Sequence, residues 1–512
     1  MSLLGELSLW VAMALAAWGV VASVSGAELR RPGLVESGAR AAYLALAFAL
    51  LAAVALWAAL ARSDFSLRYV ATYSNLALPT TAKLGAMWAG PAGALLFSAL
   101  LLAAWGALAT MLVRRAWPAA APAVTGALLA AALPPLTIAL VRARPFERTG
   151  WGVPDGLGLH PWLQTPAMLL HAPLLYAGLT ITTVPLAITV AALTGHRLHD
   201  ERWRDAVRGW SLAAVILLTL AIALGLRAAY TAPGGTTGWA YAPLDSGAVV
   251  PWLTLLALLH VVGVAASRPL LGWSVLLVCA TAASALMVAL GTQAGRAATG
   301  RPAFSYPPAG PLLLGLEALA AGALVVSVAW RFVARRRGAP AAPRTPLARA
   351  GAHAAHAGMV VALAGFAGFI FRHTTEVAVA PGAPAEAVDP YGTRWRFEST
   401  GVSRISQPGR ELSTVGIAAT RGEDPLPLVT TERRVYVDAR GAPLFGRDFA
   451  VPGIAGGAVE DATVLLVDVG EEERARLRVT FTPLVRLIWI GAAAIALGGA
   501  LALLPRVEEE AT

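Results

Sequence analysis

The sequence predicts an all-α polytopic membrane bundle of about eleven transmembrane helices, with a small extracytoplasmic β-rich domain near the C-terminus. Three observations carry this. Of the 512 residues, 57% are apolar and 14% charged, against about a quarter charged in an ordinary globular chain. Apolar runs of about twenty residues recur, each long enough to cross a hydrocarbon core of roughly 30 Å. The pattern then changes abruptly near residue 372 to polar, Gly- and Pro-rich sequence with short alternating runs.

In chain order the expected spans are 7–25, 41–61, 92–113, 119–141, 169–193, 209–229, 249–266, 270–291, 311–333, 351–371 and 484–504. Period-two alternation at 393–397, 414–420, 433–438, 463–469 and 476–481 reads as half-buried strands of a small sheet or barrel. The expected organisation is a bundle over 1–371, a β-rich domain over 372–483, and a last helix and tail over 484–512. An Ala/Pro/Arg linker covers 338–349, and no transporter-type internal repeat is visible.

The net charge of +10 does not point to nucleic acid. The basic residues are nearly all Arg, Lys83 being the only lysine, and they sit in short loops or in the C-terminal domain rather than in a basic stripe with interleaved aromatics. Loop arginines set orientation instead. Placing Arg30, Arg31, Arg40, Arg114, Arg115, Arg197, Arg202, Arg204, Arg208, Arg268 and the group from Arg331 to Arg349 inside puts the N-terminus and the β-rich domain outside and the C-terminus in the cytoplasm. No basic residue precedes the first apolar run, so a cleaved signal peptide is not expected. The single cysteine, Cys279, lies mid-span, which excludes disulfides and thiol metal sites.

Eight histidines are the most informative residues. His196 and His199 fall in an Arg-rich inner loop and His160 in an outer one, where solvated surface is the simple reading. His373 begins the outer domain. His260 and His356 differ, because an ionisable group inside an apolar span is costly and by default functional. His260 lies about 17 Å in from the outer end of its span and His356 about 8 Å in from the inner end of an oppositely running one, which puts both in the inner half of the membrane at nearly one level. Two neutral imidazoles there either ligate one haem iron from opposite sides or hydrogen-bond within the bundle. His353, one turn before His356, competes for the same role. His171 opens a span at the outer surface, either as a ligand to an outward-facing metal centre or as an interfacial residue beside Pro173.

Several stretches together resemble the CcmF branch of the CcmF/CcsA-type haem-handling proteins of cytochrome c maturation. They are SDFSLRYVATYSNLALP from Ser63 to Pro79, KLGAMWAGPAG from Lys83 to Gly93, RPFER from Arg144 to Arg148, and DGLGLHPWLQ from Asp155 to Gln164 followed by His171-x-Pro-x-Leu-Tyr176. Further along come VPWL from Val250 with His260, HAGMV from His356, and PLVRLIWIG from Pro483 leading to Gly499. The resemblance implies a membrane haem lyase component that binds haem b between two helix histidines, matched by His260 and His356. A second haem would arrive at the outer face on a tryptophan-rich loop, matched here by about residues 231–252, and be joined to apocytochrome c. It also implies a bacterial inner (plasma) membrane location, and a haem chaperone and other cytochrome c maturation subunits as partners beside membrane lipid. An aromatic loop suits a flat apolar porphyrin, and thioether chemistry needs reduced haem with exposed vinyls.

Departures cluster at the outer site. Of that loop's tryptophans Trp239 and Trp252 remain, with Tyr241 in place of one, while Ala242, Asp245 and Ser246 stand at family acidic, Glu and Asn positions. No histidine occurs in 292–301, where the second outer ligand belongs, and Gln293 is a poor substitute. Ala92 replaces an acidic residue, and the stretch between His260 and His356 is short. His171, Trp239, Tyr241 and Trp252 are thus the outer candidates and His260 with His356 the inner pair. Three functions remain open. One is a haem lyase-like biogenesis subunit, another a non-catalytic haem-binding scaffold or electron-transfer paralogue, and the last a membrane transporter, for which the spans offer no polar path.

Overall fold

A computed structural model describes residues 1–150, 152–231, 243–264, 268–291, 293, 310–338, 345–368, 371–438, 440–445, 448–457, 459–470 and 473–504. Trp239, Tyr241 and Ala242 lie outside these residues, as do the side chains of Asp245 and Ser246 and, apart from Gln293, the segment 292–301.

Ten described helices, counting α7 with α8 as one span, are long and apolar enough to cross a membrane, and a shorter apolar helix completes the set. The helices in chain order are α1 (Ser2–Glu28), α2 (Pro32–Ala61), the short α3 (Arg68–Tyr73) and α4 (Thr80–Gly85), which are not spans, α5 (Pro91–Ala116), α6 (Ala121–Ile138) and α7 (Pro166–Thr180). There follow α8 (Thr183–Thr194), α9 (Glu201–Thr231), α10 (Pro243–Val261), α11 (Arg268–Leu286), α12 (Gly310–Arg336), α13 (Pro346–Gly368) and the shorter α14 (Arg486–Ala502).

Proline starts several of these helices, because its missing N–H costs nothing in a first turn. Pro32 and Pro91 open α2 and α5. At α7 and α13 a threonine stands before the proline as N-cap, Thr165 accepting from Met168 N at 3.4 Å and Thr345 from Ala348 N at 3.1 Å. The expected single span 169–193 is broken at residues 181–182. Hydroxyls take up carbonyls around the break, Thr180 bonding Tyr176 O, Thr182 bonding Leu179 O and Thr183 bonding Thr180 O at 2.6–2.7 Å. In a membrane interior this internal satisfaction is what makes a break tolerable.

Ten antiparallel strands form a curled half-barrel between α13 and α14. They are β1 (His373–Val379), β2 (Ala385–Val388), β3 (Arg394–Gln407), β4 (Arg410–Arg421), β5 (Asp424–Pro425), β6 (Val429–Tyr436), β7 (Phe449–Val451), β8 (Gly453–Gly456), β9 (Glu460–Val469) and β10 (Ala475–Pro483). One sheet runs β1-β10-β9-β8 and the other β2-β3-β4-β6-β7, with β5 on β4. Trp395, Phe397, Val415, Ile417, Leu477, Val479 and Phe481 fill the core between them, and Trp395 is stacked on Phe397.

The N-terminus, the loops at 62–90 and 144–165 and the half-barrel share one face of the bundle. Ser2 Oγ donates to Phe146 O at 3.0 Å. Gly409 in the β3–β4 turn approaches Ala77, and Thr463 of β9 donates to the Tyr230 hydroxyl at the end of α9 at 3.0 Å. These loops are themselves interlocked: Arg68 N bonds Glu147 O, Leu157 N bonds Ala71 O, and Leu76 N bonds Asp155 Oδ1 at 2.9 Å. These are the segments that carried the family motifs. Their glycines are steric requirements, since a Cβ at Gly93 would overlap the Met87 carbonyl and one at Gly156 the Ser74 carbonyl.

Candidate functional site: a histidine pair between two apolar helices

The structure brings His260 and His356 together. Their ring centroids are 5.9 Å apart with ring planes at 84°. His260 is half-buried on α10 and His356 faces outward from α13. Each ring is anchored within its own helix, His260 Nδ1 to Leu256 O at 2.7 Å and His356 Nδ1 to Ala352 O at 2.6 Å. A carbonyl oxygen can only accept, so Nδ1 carries the proton in both rings. In the neutral imidazole that leaves Nε2 as a lone-pair donor on each side. Anchoring one ring nitrogen so that the other is presented as a ligand is the usual outer-sphere arrangement at metal sites. Two metal–nitrogen bonds of roughly 2.0 Å each, plus the ring radii, would set the centroids about 6 Å apart.

Both helices extend beyond the apolar runs that defined the expected spans, α10 back to Pro243 and α13 back to Pro346. The distances from the helix ends therefore exceed the expected 17 and 8 Å, and it is the contact between the two rings that places both residues at one level. Arg331 of α12 is close enough to His260 to act on it electrostatically. Helices α12 and α13 leave broad apolar faces uncovered, with only 11% and 22% of their apolar windows buried, and Val325, Val360 and Leu363 are exposed there.

Glycines on the opposite face of α13 hold His356 in this position. Gly351, Gly358 and Gly365 recur every seven residues and meet Gly498, Gly491 and Ile488 of α14 backbone to backbone. A Cβ at Gly358 would stand 2.7 Å from Gly491 O. Small residues at such a seam let membrane helices approach closely. None of the sequence signals above pointed to this seam, although its heptad spacing is visible in the chain. His353 lies on the same outward face as His356, one turn nearer the start of α13.

The outer candidates are placed differently. His171 is buried in α7, its Nδ1 bonded to Ala221 O at 2.7 Å, rather than standing at an interface as expected. The helix begins earlier, at Pro166, which draws His171 into the bundle. Trp252 donates from Nε1 to Thr219 Oγ1 at 2.9 Å, so it and His171 both anchor on α9, and Trp252 lies about two helical turns from His260 along α10. Gln293 is buried and its amide donates to the Tyr176 hydroxyl at 2.8 Å. His160 packs edge-on against Phe445 and Phe449 of the half-barrel. Among the described residues no group of three or more His, Cys, Asp or Glu side chains is arranged to hold a metal ion.

No family model matches the chain. In sequence it is similar to the cytochrome c-type biogenesis protein CcmF of Pseudomonas aeruginosa, with 32% identity over 292 residues, 57% of this chain and 44% of the relative. It is also similar to CcmF of Escherichia coli, 30% identical over 271 residues (52% and 42%), and to CycK of Bradyrhizobium diazoefficiens, 29% over 340 residues (66% and 51%). The chain thus spans about half the length of the curated relatives it matches. A solved structure described as cytochrome c heme lyase CcmF shares the fold with a TM-score of 0.73 at 21% identity, over 98% of both chains. The compact arrangement is therefore a shared architecture along its whole length. The chain is thus similar in sequence, over about half its length, to CcmF-type cytochrome c biogenesis proteins, and it shares the fold of a solved CcmF structure.

Proposed function

We propose that the chain is a haem lyase-like subunit of cytochrome c biogenesis that holds haem b between His260 and His356 and assists attachment of haem to apocytochrome c on the outer face. The observation that carries this is the meeting of two Nδ1-anchored imidazoles, each with Nε2 available, beside uncovered apolar helix faces. That donor set and its apolar surround would suit an iron porphyrin, with His260 and His356 the residues that would hold it. When bound, such a haem supplies one-electron redox chemistry at the inner level of the membrane. The protein's own part is to fix ring orientation through Leu256 and Ala352 and to keep the pair dry. His171, Trp252, Trp239 and Tyr241 are the proposed outer haem contacts. Loop arginines support an extracytoplasmic N-terminus and half-barrel with a cytoplasmic C-terminus, in a bacterial inner membrane. Partners would be apocytochrome c, a haem chaperone and other maturation subunits.

One observation favours a second reading, a haem-binding scaffold or electron-transfer paralogue. At the outer level His171 is tied to backbone and Gln293 to Tyr176, an arrangement with one imidazole where a pair is expected. A pyridine haemochrome assay on protein purified from haem-replete cells tests the common core. One b-type haem per chain supports both readings and its absence rejects both. Deletion of the gene then separates them, since only the lyase reading predicts loss of covalent haem attachment.

A further inference from the structure

A cavity of about 490 Å³ opens where the half-barrel rests on the first turn of α14. Pro427, Leu428 and Val429 at the start of β6 form one apolar wall, with Pro452 and Ile454 opposite. β8 is the outermost strand of its sheet, so its free edge borders the cavity and offers peptide N–H and C=O groups to an occupant. Arg486, the first residue of α14, supplies the charge, and the described lining holds no carboxylate.

A second guanidinium stands close by. Arg227, exposed near the end of α9, lies 6.0 Å from the ring centroid of Trp489, which is one turn along α14 from Arg486. Arg486 Nε donates to Asp461 Oδ1 at 3.0 Å, and Arg227 acts on the same carboxylate electrostatically. Two guanidiniums thus share one buried carboxylate, which leaves a net positive charge at the cavity mouth. Arg486 uses Nε for that bond, and its side chain, 47% exposed, keeps its terminal N–H groups for another acceptor. Tyr230, Val485 and Ile488 pack with Leu226, Ile454 and Trp489 into one apolar cluster, so α9, α14 and β8 hold the two arginines in a fixed relation.

From Arg486 an apolar line runs down α14. Ile490, Ala493 and Leu497 follow at helical spacing and are exposed, Ile490 by 57% and Leu497 by 68%. Cations at the end of a span, an aromatic ring between them and an apolar stripe leading into the hydrocarbon core suit a lipid headgroup and its acyl chain. A small free anion would leave the stripe and the apolar wall unused.

The geometry points to a binding site for an anionic phospholipid, with its phosphodiester between Arg486 and Arg227. A hydroxylated headgroup lies in the cavity against the edge of β8, and an acyl chain follows Ile490, Ala493 and Leu497. Planar guanidiniums match phosphate oxygens in pairs. A choline headgroup brings a cation toward two arginines and has no hydroxyl for the strand edge, so the site selects against zwitterionic lipid. The assignment rests on the membrane-spanning fold and is independent of haem and of the histidine pair.

Dioleoyl phosphatidylglycerol is the probe, added to the full-length protein in detergent and counted as bound lipid by native mass spectrometry. Dioleoyl phosphatidylcholine, with the same chains, is the comparison. One retained phosphatidylglycerol per chain is expected, held on the order of tenfold or more better than phosphatidylcholine, because the choline cation opposes the guanidiniums. Arg227→Gln leaves the bond between Arg486 and Asp461 in place, and Leu428→Glu puts a negative charge on an exposed part of the cavity wall. Each should weaken retention by a similar factor. An excess of inorganic phosphate should leave the lipid bound; displacement would mark a free-anion site and overturn the assignment. Equal retention of the two lipids, or phosphatidylglycerol held unchanged in Arg227→Gln and Leu428→Glu, would overturn it as well.

Discussion

Gly358 and Gly491 touch backbone to backbone, each leaving no room for a Cβ on the other: one at Gly491 would stand 2.5 Å from Gly358 O. Because side chains two residues apart on a helix point to nearly opposite faces, this contact turns His356 away from α14 and toward α10. The histidine pair is therefore set by a seam that contains no histidine.

Gly358→Ala should spread α13 from α14 and displace His356. Overpacking of this kind costs about 1–3 kcal/mol. We expect a lower melting temperature in detergent and reduced haem content per chain, both read on the same purified sample. Gly322→Ala on α12, where an added methyl would meet nothing within 4 Å, should change neither.

His353 and His356 should separate cleanly. Among the described histidines it is His356 whose ring meets His260, so His356→Ala should abolish the bis-imidazole optical spectrum while His353→Ala preserves it. Reduced-minus-oxidised difference spectra of both variants decide the point, and loss of the spectrum in His353→Ala alone would reassign the ligand.

Glu460 gives the half-barrel a pH dependence. Burial first, and the neighbouring Asp389 second, push its carboxyl up to about 8. Asp389 is held low by hydrogen bonds from Trp395 Nε1 and the backbone N–H groups of Tyr391 and Thr393, against its burial. An acid whose folded pKa lies above its unfolded value binds more protons when folded, so stability falls as pH rises from the ordinary carboxylate range to about 8 and levels off above it. Glu460→Gln should remove that decline. Melting temperatures of wild type and variant from pH 5 to 9 should converge at the acid end and diverge at the basic end, with the variant higher.

The half-barrel is fastened to the last helix by Arg486, whose Nε donates to the buried Asp461 at 3.0 Å. Arg486→Ala strands a buried carboxylate, but the guanidinium is about half exposed, so the cost should be roughly 1–3 kcal/mol rather than that of a fully buried pair. Faster amide exchange in β9 and β10 should report it. Asp461→Asn in the same chain should restore much of the loss.

The inner pair was legible because an imidazole in an apolar helix is conspicuous and its depth follows from counting residues at a fixed rise. Helix starts at Pro243 and Pro346 were placed too late, since apolar runs mark the hydrocarbon core while Thr345 and Pro346 start the helix outside it. The break after Thr180 was hidden because threonine reads as apolar-compatible, and its role lies in hydroxyl bonds that only the fold reveals. Five strands were read from alternation, although β9 is buried on both faces over most of its length. β1, β2, β5, β7 and β8 escaped because they are short or alternate only at one end, as the exposed start of His373–Val379 illustrates. The burial of His171 was not legible either, for it depends on α9 lying across it at Ala221.

Low-temperature electron paramagnetic resonance of the oxidised, purified protein tests the iron ligation directly. A pair of axial imidazoles predicts a low-spin ferric signal of bis-imidazole type that disappears or turns high-spin in both His260→Ala and His356→Ala. A preparation without that signal, or one in which it survives both substitutions, would contradict the assignment of His260 and His356 as the ligands.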